Sequence, residues 1–126
     1  MLFSIMQENK QIFVYGTLRQ NGSAYSKMQN SVLIEHGIRI SHYKMYSCGD
    51  FPIVEPSLDP LDSIIGDIFE ISSQLLTELD FYEDIESLEY QRIWDHKHSF
   101  YIYIKGTKPP VSIQEIKNGD WIEFIS

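Results

Sequence analysis

Two features of the sequence can do chemistry together: the carboxylate Glu83, which closes an apolar helical pattern, and a strand that empties into Tyr15-Gly16-Thr17-Leu18-Arg19. Leu75, Leu76, Leu79 and Tyr82 recur at the spacing of one amphipathic helix face. At about 100° per residue, Glu83 projects from the edge of that face, seven positions after Leu76 and four after Leu79. A carboxylate turned toward a core at the C-terminal end of a helix has its charge disfavoured by desolvation and by the negative end of the helix dipole. It therefore holds a proton more tightly and suits a general base. The same residues also accommodate a plainer reading, in which Glu83 lies past the last turn and is solvated. Asp80 falls further off the apolar face, and Glu78 points to the opposite, solvated side.

The second feature, Ile12-Phe13-Val14 rising to Tyr15 and then Gly16-Thr17-Leu18, reads as a buried strand opening onto a tight loop. Gly16 lets the backbone approach a ligand or take a conformation that other residues resist, and the N–H groups from Gly16 to Leu18 can hold an anion or a developing oxyanion. An ordinary turn satisfies these residues equally. The spacing is neither that of a phosphate-binding loop nor that of a dinucleotide fingerprint. Other chemistries find less support. His96 and His98, with Asp95, have no second pair at metal-ligand spacing and read as a polar hairpin, so no metal is expected. Cys48 has no Cys/His context for a nucleophile, and a G-x-S-x-G elbow is absent. Asn21-Gly22-Ser23 matches a glycosylation acceptor that has meaning only in a secreted protein.

The elements that must position these groups follow from length and pattern. A chain of 126 residues predicts one domain over 1–126, and 43% apolar with 13% aromatic residues excludes a disordered chain. Eighteen acidic against ten basic residues, a net charge of −8, disfavour nucleic acid and anionic membranes as partners. No apolar run approaches the roughly 20 residues of a membrane span. Met1 to Lys10 lacks a secretory pattern, and the single Cys48 points to a cytoplasmic setting. Strands are predicted over Gln11–Tyr15, lying centrally in the sheet, and over Val32–Ile34, Ile38–Tyr46 and Ser63–Ile71. Three more follow over Tyr90–Trp94, Ser99–Lys105 and Trp121–Ile125. The spacing predicts one strong helix over Ser72–Tyr82 and a short one near Ala24, Tyr25 and Met28. Cys48–Leu61 reads as irregular because of Gly49, Pro52, Pro56 and Pro60, and its part Gly49–Pro56 is expected to wall a cavity, with Phe51 in apolar contact. Tyr101 and Tyr103 share one strand face, and Ile102 and Ile104 the other.

Six segments in order carry a likeness that covers nearly the whole chain: Phe13-Val14-Tyr15-Gly16-Thr17-Leu18-Arg19, Phe51-Pro52-Ile53-Val54 and Gly66-Asp67-Ile68-Phe69-Glu70-Ile71, then Leu79-Asp80-Phe81-Tyr82-Glu83, Tyr90-Gln91-Arg92 and Gly119-Asp120-Trp121. With them the chain resembles the γ-glutamylcyclotransferase-like family. Where that family commonly places glycine after its catalytic glutamate, this chain has Asp84. The resemblance implies an α+β fold, a mixed, curved, barrel-like sheet with few helices and one cavity at the strand ends. It implies that Tyr15, Gly16, Thr17 and Leu18 hold a γ-glutamyl moiety and that Glu83 is the catalytic acid and base. The implied reaction closes 5-oxoproline and releases an amine, without a cofactor, from a small-molecule γ-glutamyl substrate. Tyr90 is a further candidate for substrate hydrogen bonding, and Arg92 for a substrate carboxylate or for structure. The competing expectation is a non-catalytic binding or regulatory protein that keeps the same pocket.

Overall fold

Residues 9–83, 88–108 and 113–126 are described by a computed structural model. The apolar run ahead of Tyr15 forms β1 (Lys10–Val14), followed by β2 (Val32–Ser41), β3 (Tyr43–Ser47), β4 (Pro52–Pro56) and β5 (Ser63–Ile71). Helix α1 (Ser73–Tyr82) comes next, then β6 (Tyr90–Asp95), β7 (Phe100–Lys105), β8 (Gln114–Glu115) and α2 (Trp121–Phe124). Five strands make one sheet in the order β2-β5-β1-β7-β6, and three make a second in the order β4-β3-β8. β1 is central as expected, antiparallel to β5 and parallel to β7. Its alternation sends Ile12 and Val14 into one core cluster and Phe13, with Tyr15 beyond the strand end, into another. Burial on both faces is why the strand reads as a nearly unbroken apolar run.

The first cluster lies under α1, which contributes Leu75, Leu76 and Leu79; the second gathers Met45, Val54 and Trp121 against Phe13, Ile102 and Ile104. Ser72 caps α1 by accepting from the Leu75 N–H at 3.1 Å. β5 can press against β1 because residue 66 is glycine: a Cβ there would stand 2.4 Å from the Val14 carbonyl oxygen and 2.5 Å from the Phe13 ring. The expected phenol face of β7 is present, with Tyr101 and Tyr103 on the first cluster and Ile102 and Ile104 on the second.

The two sheets are curved, in keeping with the expected barrel-like form, without closing into a true barrel. Three other expectations are corrected. Pro52–Pro56 is strand rather than irregular, because β4 is an edge strand whose prolines stand at its two ends. Val32–Ile34 and Ile38–Ser41 belong to one strand that passes Gly37 with register shifts, and the real break falls at His42, whose φ of 72° turns the chain from the first sheet into the second. Trp121–Ile125 is not a strand: the Asp120 carboxylate accepts from the Glu123 N–H at 3.2 Å and starts a short helix anchored by buried Trp121. The 3-10 helix Tyr25–Met28 stands where a short helix was expected.

Candidate functional site

β1 ends on a loop folded by three backbone hydrogen bonds, from Arg19 N–H to the Gly16 carbonyl (3.1 Å), Gly22 N–H to Arg19 (2.7 Å) and Ala24 N–H to Thr17 (2.8 Å). Gly16 serves close approach here. A Cβ at that position would lie 2.9 Å from Pro52 Cγ, and the positive-φ glycines among the described residues are Gly37, Gly49 and Gly119. Arg19 is buried and turned to structure rather than to ligand: its guanidinium lies 3.1 Å from Asp120 Oδ1 and 3.5 Å from Asp67 Oδ1. Asp67, with no exposed surface, also accepts from the Gln20 N–H (2.7 Å) and the Gly37 N–H (2.9 Å) and faces His36 Nδ1 at 3.0 Å. One buried carboxylate thereby ties the far side of the loop to β5 and β2.

The near side of the loop borders a cavity of about 270 Å³. Its walls come from residues 13–18, from Asp50 and Phe51 between β3 and β4 and Pro52 at the start of β4, from Tyr82 and Glu83 at the end of α1, and from Glu89, Tyr90 and Tyr103. Glu83 occupies the C-cap of α1, its N–H bonded to the Leu79 carbonyl at 2.8 Å. Burial raises its carboxyl from the usual 4.5 to about 7, so protonated and ionised forms are both accessible near neutrality. The helical phase read from the sequence puts this carboxylate where the structure has it, on the cavity wall rather than solvated beyond the helix.

Three phenols surround it with their protons already committed. Tyr15 donates to the Tyr103 carbonyl (2.7 Å), Tyr90 to the Pro52 carbonyl (2.6 Å) and Tyr103 to Asp80 Oδ1 (2.7 Å). Burial pushes all three far up from the ordinary phenol value, and the Glu83 charge adds to each. They stay neutral, and what each phenol oxygen can offer a ligand is a lone pair. At the cavity edge the Thr17 and Tyr82 hydroxyls share a hydrogen bond of 2.8 Å.

The structure therefore brings Tyr15, Gly16, Thr17, Leu18, Glu83 and Tyr90 to one cavity. Arg92 stands apart: its Nη1 is 2.7 Å from Asp80 Oδ2, its guanidinium lies 4.9 Å over the Tyr101 ring, and it is not among the lining residues. Asp50, Phe51 and Pro52 belong to the segment Gly49–Pro56 that was expected to wall the cavity, whereas sequence reasoning passed over Tyr82, Glu89 and Tyr103 as lining residues. The phenol face of β7 signalled Tyr103; nothing local signals Glu89. His98 Nδ1 lies 3.0 Å from Asp95 Oδ2 and the ring stacks on Phe100, and no group of three or more His, Cys, Asp and Glu placed to hold a metal occurs among the described residues. Cys48 is half-buried, and burial with the Glu89 charge holds its thiol above the ordinary value, opposite to what a nucleophile needs. Asp84, the departure from the family pattern, lies outside the described residues, as do Met1–Glu8 of the N-terminal segment. No described helix is long and apolar enough to cross a membrane.

Comparison with known proteins gives a consistent set. The family described as gamma-glutamyl cyclotransferase, AIG2-like, matches residues 12–123. A protein of Vibrio cholerae named "Putative gamma-glutamylcyclotransferase" is 33% identical over 118 residues, which are 90% of this chain and 96% of that protein. The solution structure of YtfP from Escherichia coli is similar with a TM-score of 0.68 at 28% identity, covering 92% of this chain and 99% of that one. A mouse AIG2-like protein shares the fold, with a TM-score of 0.65 at 22% identity over 90% of this chain and 89% of its own.

Proposed function

Because the chain belongs to the gamma-glutamyl cyclotransferase, AIG2-like family, we propose that it converts a γ-glutamyl compound into 5-oxoproline and a free amine, with Glu83 as the proton-transfer group. The observation that carries the reading is a carboxylate at about 7 in the wall of a cavity that a tight glycine loop also lines. The substrate's α-ammonium gives a proton to Glu83. The freed nitrogen attacks the γ-carbonyl carbon, and the carbonyl electrons move onto oxygen beside the Gly16–Leu18 amides. As the tetrahedral carbon collapses, the bond to the departing nitrogen breaks; Glu83 returns the first proton to it and relays the second proton of the attacking nitrogen the same way, so 5-oxoproline leaves as the neutral lactam and the amine as its ammonium. Nothing is oxidised or reduced. Because donor and acceptor belong to one molecule, most of the help required is to hold the substrate folded for five-membered ring closure. The phenols suit this, since their free lone pairs face an ammonium better than a carboxylate.

The test is incubation with γ-glutamylalanine, γ-glutamylbutylamide, Nε-(γ-glutamyl)lysine and γ-glutamylputrescine, following 5-oxoproline by mass. Its formation from one or more of them is expected; none from any of the four rejects the proposal. Where turnover occurs, kcat/KM is expected to rise with pH through a midpoint near 7, because only ionised Glu83 accepts the ammonium proton. A midpoint near 4.5 would show that the carboxylate is solvated in the working enzyme.

The charges around the cavity set an expectation for the departing amine. Asp50, Glu83 and Glu89 border it, with no lysine or arginine among the lining residues, although Lys108 faces Glu89 at 3.6 Å. A leaving group with its own carboxylate meets like charge, at about 1 kcal/mol per solvated contact, or roughly fivefold in rate. γ-Glutamylputrescine is expected to exceed γ-glutamylalanine in kcat/KM, and Asp50→Asn to narrow the gap. Equal rates at low salt would remove the electrostatic argument.

A further inference from the structure

We infer that Asp80 is a positioning residue for Glu83, its two carboxylate oxygens clamping the last turn of α1 to neighbouring strands; the inference rests on the cyclisation reading. Oδ2 lies 2.7 Å from Arg92 Nη1 on β6, and Oδ1 accepts from the Tyr103 hydroxyl on β7 at 2.7 Å. Arg92 and Tyr103 are direct cross-strand partners, so the carboxylate is gripped by one rung of the β6–β7 ladder. Tyr103 also walls the cavity, and its carbonyl receives the Tyr15 hydroxyl. A continuous path thus runs from the glycine loop through Tyr15, Tyr103 and Asp80 to the turn that ends in Glu83.

That turn needs such a hold. The leucines that bury α1 are Leu75, Leu76 and Leu79, whereas Phe81 and Tyr82 are 79% and 39% exposed. A helix end with little apolar burial frays, and its last carbonyls lack partners within the helix. The Asp80 pair and the Thr17–Tyr82 hydrogen bond resist this at the point where the carboxylate must stand. With Asp80 and Arg92 side chains 31% and 28% exposed, the ion pair contributes little to global stability, so its removal should touch the site far more than the fold.

The experiment compares wild type, Asp80→Asn and Arg92→Gln on whichever of the four γ-glutamyl compounds wild type turns over fastest, together with amide hydrogen exchange. In Asp80→Asn, kcat is expected to fall about 10–100-fold, the scale of an ångström-level misplacement, with KM changed less than about twofold. The Glu83 amide is expected to exchange at least about tenfold faster while Ile12 and Phe13 in β1 keep their protection. Arg92→Gln, which leaves the Tyr103 bond, should show the same pattern more weakly; it decides the matter if Asp80→Asn fails to fold. A folded variant with wild-type kcat, or with wild-type protection at Glu83, overturns the inference. If wild type makes no 5-oxoproline, the cyclisation reading fails, and the exchange measurement alone decides whether Asp80 holds the turn.

Discussion

Glu83→Gln is expected to lower 5-oxoproline formation by roughly 10²–10⁴-fold, the loss typical of a removed general base. Glutamine has the size of glutamate and retains hydrogen-bonding capacity, yet it takes up no proton near neutrality. The fold should gain rather than lose, in a pH-dependent way. Glu83 is raised from 4.5 in the open chain to about 7 in the folded protein. Between those values the folded state holds more proton than the unfolded, so stability is greatest below 4.5 and declines as pH rises toward and through 7. The burden at pH 8 is about 1–3 kcal/mol, discounted for the partly exposed carboxylate. Glutamine removes it. Melting temperatures at pH 8 should therefore favour the variant, and the advantage should vanish near pH 4. A folded Glu83→Gln protein that still makes 5-oxoproline at the wild-type rate would rule out Glu83 as the proton-transfer group.

Asp67→Ala is expected to destabilise the protein by about 3–5 kcal/mol, the summed cost of weakening the ion pairing of buried Arg19 and of leaving two backbone amides without their acceptor. Arg19 would keep Asp120 alone, while the Gln20 and Gly37 amides would each lose an acceptor. For a chain of this length that corresponds to a melting temperature lower by roughly 10–20 °C. Urea denaturation measures the free energy directly, and a loss below 1 kcal/mol would mean that water replaces the carboxylate. Exchanging Arg19 and Asp67 together for apolar residues of similar volume should cost less than Asp67→Ala, since the desolvation of both charges disappears with them. Turnover should drop in Asp67→Ala even at temperatures where it is folded, because the loop from Gly16 to Gln20 loses its anchor.

How much of this was legible in the residues depends on how far each determinant reaches. β1 and α1 are specified by neighbours within a few positions, through an unbroken apolar run in one and a repeat of leucines behind Ser72 in the other. Glu83 inherits its place from the phase of that repeat. Arg19 is different: the residues beside it assign it no role, and only the partners at positions 67 and 120 show that it is internal. Arg92 is misleading for the same reason, since Asp80 precedes it by twelve positions and no local pattern pairs them. The prolines of β4 argue against a strand until the edge position of that strand is known, and edge position is a property of the sheet. At Trp121–Phe124 the aromatic and apolar composition suggests a strand, and the helix start there rests on the Asp120 carboxylate accepting from the Glu123 N–H.

The parallel pairing of β1 with β7 has a kinetic consequence. The cavity joins Tyr15 to a carbonyl 88 residues further along the chain, and Ile12 pairs with Tyr101 across a similar interval. Contacts of such long sequence separation form slowly, because closing the loop costs entropy before any pairing repays it. During synthesis the N-terminal glycine loop emerges long before the strand that completes its far wall. A nascent chain lacking β7 has the loop without the rung that grips Asp80, so the site comes into being late, with the closure of the sheet around β1.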